Sequence, residues 1–139
     1  MTTRRWEHFA HGADIGVRGI GPTLAAAFEE AARALTAVVV DPDTVAPEVA
    51  VDIACAAPDV EILLVDWLNA VIFEMATRGM LFGAYAVRIE DGRLAATARG
   101  EPVDRRRHAP TVEIKGATFT ALRVAAAPDG WIAECVVDV

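Results

Sequence analysis

Apolar residues along this chain change period several times, and each change predicts an element. Trp6 to Phe9 and Ile15 to Arg18 read as short strands. In the second, alternation sends Ile15 and Val17 to one side and Asp14, Gly16 and Arg18 to the other, so Asp14 points away from the apolar face. Gly19-Ile20-Gly21-Pro22 ends that strand, and turn and cap chemistry account for its glycines. Thr23 caps a helix to about Val38, whose Leu24, Phe28, Ala31, Leu35 and Val38 recur at the spacing of a buried stripe. Asp41-Pro42-Asp43-Thr44 is a loop, and Val49, Val51, Ile53 and Cys55 then alternate as a half-buried strand. Pro58-Asp59 opens a second helix to about Thr77, so continuously apolar that it is expected to be central and mostly buried, and Gly79 stops it. Two strand pairs follow. Met80 to Glu90 turns at Asp91-Gly92 into Arg93 to Arg99, and Glu113 to Ala127 turns near Asp129-Gly130 into Trp131 to Val139. Pro128 predicts a second turn longer than two residues. The order β-β-α-β-α-β-β-β-β indicates one α+β domain over residues 1–139, with two helices packed on a mainly antiparallel sheet or sheets.

Composition narrows the function classes. An apolar share of 54% in 139 residues allows a full core. A net charge of -7 argues against broad electrostatic attachment to nucleic acid or an anionic membrane, so RNA contact is expected to be local or mediated by a partner. Cys55 and Cys135 are isolated in apolar runs and read as reduced thiols of a cytoplasmic protein. Met1 to His8 carries two arginines without the apolar run of a secretory signal. Ile62 to Phe73 is interrupted by Asp66 and Asn69 and is too short to span a bilayer, which reads as a soluble protein.

Candidate chemistry concentrates at few positions. Asp138 stands one residue from the Val139 α-carboxylate at the end of a strand-like run. If the first and last strands meet, Asp14 joins them in an all-oxygen set that selects hard cations such as calcium or magnesium; a solvated chain end is the alternative. His8, His11 and Asp14 cluster early, either as ligands or proton carriers or as loop-orienting hydrogen-bond groups. Zinc is disfavoured, because neither H-E-x-x-H nor a Cys/His set is present. Gly19 to Leu24 fails both nucleotide fingerprints, since Leu24 replaces the third glycine and no Lys-Ser/Thr follows. Asp66 and Asn69 share one face of the second helix, where a buried carboxylate requires a partner. Arg105-Arg106-Arg107-His108, in a loop, either grips phosphate or an acidic partner or is solvated charge. Lys115 is the only lysine, a compact ammonium at a strand position. No nucleophile elbow or hydrolytic metal centre is recognisable.

In order and spacing, several segments together resemble the archease family. They are His11-Gly12-Ala13-Asp14-Ile15-Gly16-Val17-Arg18, Thr23 to Phe28, Leu63 to Asn69, Gly100-Glu101-Pro102 with Arg107-His108, Val112 to Phe119, and Val137-Asp138-Val139. The resemblance implies a non-enzymatic protein cofactor of the RtcB-type RNA ligase, promoting guanylylation of the ligase and multiple turnover in tRNA splicing or RNA repair. It further implies a divalent cation, calcium foremost with magnesium or manganese as alternatives, held by Asp14 and Asp138 with a contribution from Val139. Asp14, Lys115 and Asp138 are then the activating residues, and His11, Arg107 and His108 are candidate partner or phosphate contacts. Gly12 departs from the family's usual Thr and is expected to loosen the loop before Asp14; Ala25 and Ala26, Gly116 and Thr120 also depart. On this reading, residues appended after Val139 impair activation more than folding. The rival readings are a metal-dependent phosphoester hydrolase using His11, Asp14 and Asp138, and a chaperone-like interaction module.

Overall fold

Strand pairing divides the chain into two antiparallel sheets that share one interior. The computed structural model describes residues 3–110 and 112–139; the first two residues of the N-terminal segment lie outside that description. Along the chain come β1 (Arg5–His11), β2 (Asp14–Gly21), α1 (Leu24–Val39), a 3-10 turn (Pro42–Thr44), β3 (Val49–Ala56) and α2 (Val60–Arg78). They are followed by β4 (Met80–Glu90), β5 (Arg93–Pro102), α3 (Arg105–His108), β6 (Gly116–Ala117), β7 (Arg123–Ala127) and β8 (Gly130–Asp138). The first sheet runs β1-β2-β8-β6, with β7 also on β8; the second runs β3-β5-β4.

Both helices touch both sheets. Val17, Cys135 and Val137 from the first sheet meet Phe28, Leu35, Trp67 and Leu68 from the helices and Ile53, Val87 and Leu94 from the second sheet in one apolar cluster. The predicted stripe of α1 is buried there, with Phe28, Ala31 and Leu35 wholly enclosed, and the Thr23 side chain accepts from Ala26 N at 3.0 Å as the cap. Buried polar atoms are matched: Trp67 Nε1 donates to Phe28 O at 3.0 Å, and Thr36 Oγ1 lies 2.7 Å from the Tyr85 hydroxyl. Among the described residues no buried side-chain nitrogen or oxygen lacks a partner.

Several expectations are corrected. Gly19 does not end β2 but lies within it; a Cβ there would come 2.1 Å from Ala27 O and 2.2 Å from Ala31 N, so the glycine admits α1 against the strand. The strand expected over Glu113 to Ala127 is broken into β6 and β7, because Thr118 and Thr120 take up β8 backbone partners in the intervening turn. Ala127 pairs with Gly130, so Pro128-Asp129 is a two-residue turn after all; proline at its first central position supplies the needed φ. Arg105 to His108 is a helical turn rather than a loop, capped by Asp104 Oδ1, which accepts from Arg106 N and Arg107 N. Asp66 is exposed and so requires no buried partner. α2 buries Leu63, Leu64, Trp67, Leu68 and Val71 but leaves Ile62, Asp66, Asn69 and Phe73 outside as a stripe.

Candidate functional site

The last strand lies in the interior of its sheet, and this decides which distant residues meet. β8 pairs with β2 from Gly21↔Trp131 through Ile15↔Val137, and one further step in that register sets Asp14 opposite Asp138. On its other side Asp138 pairs with Gly116, while Lys115 N donates to Asp138 O at 2.9 Å. Val139 N donates to Asp14 Oδ1 at 3.4 Å. Asp14, Lys115, Asp138 and Val139 therefore share one end of the sheet, although more than a hundred positions of chain separate the first from the last.

His11 belongs to the same end. It pairs with Asp14 across the β1-β2 turn, where Gly12 has φ +59°. A positive φ at the first central residue of a two-residue hairpin suits glycine, so Gly12 closes the turn before Asp14 instead of loosening it. Directly paired residues project to one face, so His11, Asp14 and Asp138 form a row on the face opposite the helices. His8 departs from the early cluster: it projects to the helix side, and its Nε2 lies 2.7 Å from Ala34 O.

Further along the same strands this outer face is electrostatically matched. Arg18 reaches Glu134 at 3.1 Å and Glu7 at 3.2 Å, Arg123 reaches Glu134 at 3.3 Å, and the Arg18 guanidinium stands 4.8 Å above the Phe9 ring. Glu134 raises the pKa of Arg18, and Arg18 in turn holds the Glu7 carboxyl below its ordinary range. At the end of the strands the acids lack such cations: among the described residues Asp14, Asp138 and Lys115 make no ion pair.

The donor set of two carboxylates with a neighbouring main-chain oxygen fits a hard cation in kind and in charge. It is short in number: among the described residues no three His, Cys, Asp or Glu side chains converge to hold an ion, against the roughly six to eight oxygens that calcium takes. Water or a partner would have to complete the shell.

Arg107 and His108 both engage Glu101, His108 from inside the molecule and Arg107 from its surface. The His108 side chain is fully buried, its Nδ1 accepting from Asp104 N at 2.8 Å and its Nε2 lying 3.2 Å from Glu101 Oε2. Arg107 pairs with Glu101 and donates to Thr44 O at 3.2 Å. As placed, His108 offers no surface to a phosphate or partner, and the exposed charges of that run are Arg105, Arg106 and the outer part of Arg107. The hydrogen bonds from Ala46 N, Arg107 and His108 hold the Glu101 carboxyl down at about 2. Asn69 is a role that sequence reasoning missed. Its amide grips Ala117 from both sides, accepting from Ala117 N at 2.9 Å and donating to Ala117 O at 3.3 Å, and so ties α2 to the segment that carries Lys115. A polar residue interrupting a buried-looking helix was the available signal.

Comparison with known proteins shows the family to which a chain of this sequence and fold is similar. Residues 6–139 match the model of the Archease protein family (MTH1598/TM1083). The chain is 39% identical over 141 residues to protein archease of Pyrococcus furiosus, covering 98% of this chain and 99% of that one. It is 41% identical over 140 residues to protein archease of Thermococcus gammatolerans, covering 97% and 99%. The solution structure of Methanobacterium thermoautotrophicum protein 1598 superposes with a TM-score of 0.79 at 25% identity, covering 96% of this chain and 98% of that one. An archease from Thermotoga maritima, described as a possible chaperone, shares the fold with a TM-score of 0.58 at 17% identity over 96% of each chain. With its family model, its relatives and its fold in agreement over nearly the whole length, this chain belongs to the archease family.

Proposed function

We propose that this protein is a metal-binding cofactor that activates an RtcB-type, GTP-dependent RNA ligase in the cytoplasm, promoting guanylylation and multiple turnover in tRNA splicing or RNA repair. The observation that supports this reading is the convergence of Asp14, Asp138 and Lys115 at one end of β8, the three residues that the family resemblance marks as activating. Asp14 and Asp138, with a Val139 main-chain oxygen, hold a divalent cation, calcium foremost and magnesium or manganese as alternatives. The cation shields two adjacent carboxylates and carries positive charge to the nucleotide-binding site of the ligase. The ammonium of Lys115 stabilises phosphate charge beside it. The short donor set favours activation over stand-alone hydrolysis, since the remaining ligands come from water or the ligase.

A guanylylation and multiple-turnover ligation assay tests this. Asp14→Ala, Asp138→Ala and Lys115→Ala are each expected to lower stimulation at least tenfold while leaving the fold intact by circular dichroism. Undiminished activation by all three variants, or phosphoester turnover by this chain alone, refutes the assignment.

A further inference from the structure

Resting on that reading, we infer that Asn69 is a positioning residue for activation: its amide holds the backbone that carries Lys115 against the Asp14–Asp138 end, without itself meeting phosphate or cation. Lys115 has little of its own to fix it. A lysine ammonium rides on a flexible four-carbon stem, and among the described residues this one makes no ion pair. Residues 112–115 belong to no helix or strand, and β6 after them is two residues long. The place of the ammonium therefore depends on where the backbone around it is tied. Ile114 is buried in the shared apolar cluster, Lys115 N donates to Asp138 O at 2.9 Å, and two residues on Ala117 is gripped by Asn69.

That grip takes the form of a missing strand. β6 lies at the outer edge of its sheet, with β8 on its other side. Ala117 N donates to Asn69 Oδ1 at 2.9 Å and Asn69 Nδ2 donates to Ala117 O at 3.3 Å, so one amide supplies the acceptor and donor of a neighbouring strand. A carboxamide carries both on separate atoms, whereas an ionised carboxylate lacks the donor. Asn69 stands in the middle of α2 and caps neither end. Among the described residues no other side chain hydrogen-bonds to residues 112–117.

The consequence is local. Both bonds lie at the surface, where water competes for them and each adds little to global stability. Without them the edge strand keeps only its β8 side, and Lys115, about 7 Å along the chain from Ala117, swings away from the carboxylates. Stabilisation of reacting phosphate is sensitive to displacements of about 1 Å, so the loss falls on rate. The register of β2 on β8 fixes Asp14 and Asp138 independently of the clamp. Asn69 thus acts through Lys115 alone.

Guanylylation of an RtcB-type ligase at saturating concentrations of the intact protein, ligase affinity by biolayer interferometry, and amide hydrogen exchange of the free protein test this. Asn69→Ala is expected to speed exchange over residues 112–118 and to lower the saturating rate about tenfold, with affinity and melting temperature at wild-type levels. Asn69→Asp keeps the size of the side chain and the acceptor for Ala117 N, and its rate should fall between the two. In a Lys115→Ala background Asn69→Ala should cost nothing further, whereas a general loss of structure would add to the Lys115 loss. Unchanged exchange, a wild-type saturating rate in Asn69→Ala, a further loss in the double variant, or a loss carried by affinity alone overturns the positioning role and leaves the activator reading intact. Undiminished stimulation by Lys115→Ala, or a wild type that does not stimulate the ligase, removes the activating role of Lys115 and this inference with it.

Discussion

Glu101 shows how a residue that reads as polar surface becomes a fixed point once the chain folds. Its carboxylate accepts from Ala46 N at 2.5 Å, pairs with Arg107 and meets His108, and these contacts join β5, α3 and the segment after the 3-10 turn. Its pKa falls from 4.5 to about 2 in the fold. A carboxyl depressed by folding contributes stability above its unfolded value and loses it as pH falls toward the folded value. Urea unfolding midpoints are therefore expected to drop between about pH 4.5 and 2, and Glu101→Gln should flatten that dependence. Equal slopes in the two proteins would exclude this role. At the same scale, sequence singled out Asp14, Lys115 and Asp138, because unusual residues are visible without coordinates. It misplaces His108 and does not reveal the pairing of Arg107 with Glu101, because a basic run looks alike whether its side chains turn outward or close onto a glutamate.

At the scale of elements, periodicity revealed what burial on one face dictates. The stripe of α1, the hairpin at Asp91-Gly92 and the outward direction of Asp14 follow from local rules, and the structure has all three. In α2, apolar density hides a narrow exposed stripe in which two of the outward residues, Ile62 and Phe73, are themselves hydrophobic. The local pattern places Gly19 in a turn, although its purpose lies in the helix that packs across it. Gly19→Ala is expected to destabilise the protein by about 1–3 kcal/mol in denaturant titration, because the methyl meets backbone rather than a flexible side chain. Gly12→Ala meets no neighbouring atom and disturbs only the φ +59° turn. Its effect should be smaller, and a larger loss at Gly12 than at Gly19 would contradict this account.

At the scale of the whole molecule, β8 is the decisive strand, since it collects β2, β6 and β7 and thereby joins the two ends of the chain. A cation held across that junction binds the folded protein and not the unfolded one, so it stabilises by mass action, about 2.7 kcal/mol at a hundred times its dissociation constant. Calcium is expected to raise the melting temperature of the wild type and to leave Asp14→Asn and Asp138→Asn unmoved. An equal rise in all three proteins would place the ion elsewhere. By itself the sequence determined most of the elements, the buried stripe of α1, the acidic balance and the few residues able to carry chemistry, because these depend on side-chain type and local period. Only the tertiary structure decided that Asp14 stands beside Asp138, that Asn69 fastens the Lys115 strap to α2, and that Glu101 claims Arg107 and His108. Those outcomes depend on strand register and on contacts between distant segments, which spacing along the chain does not encode.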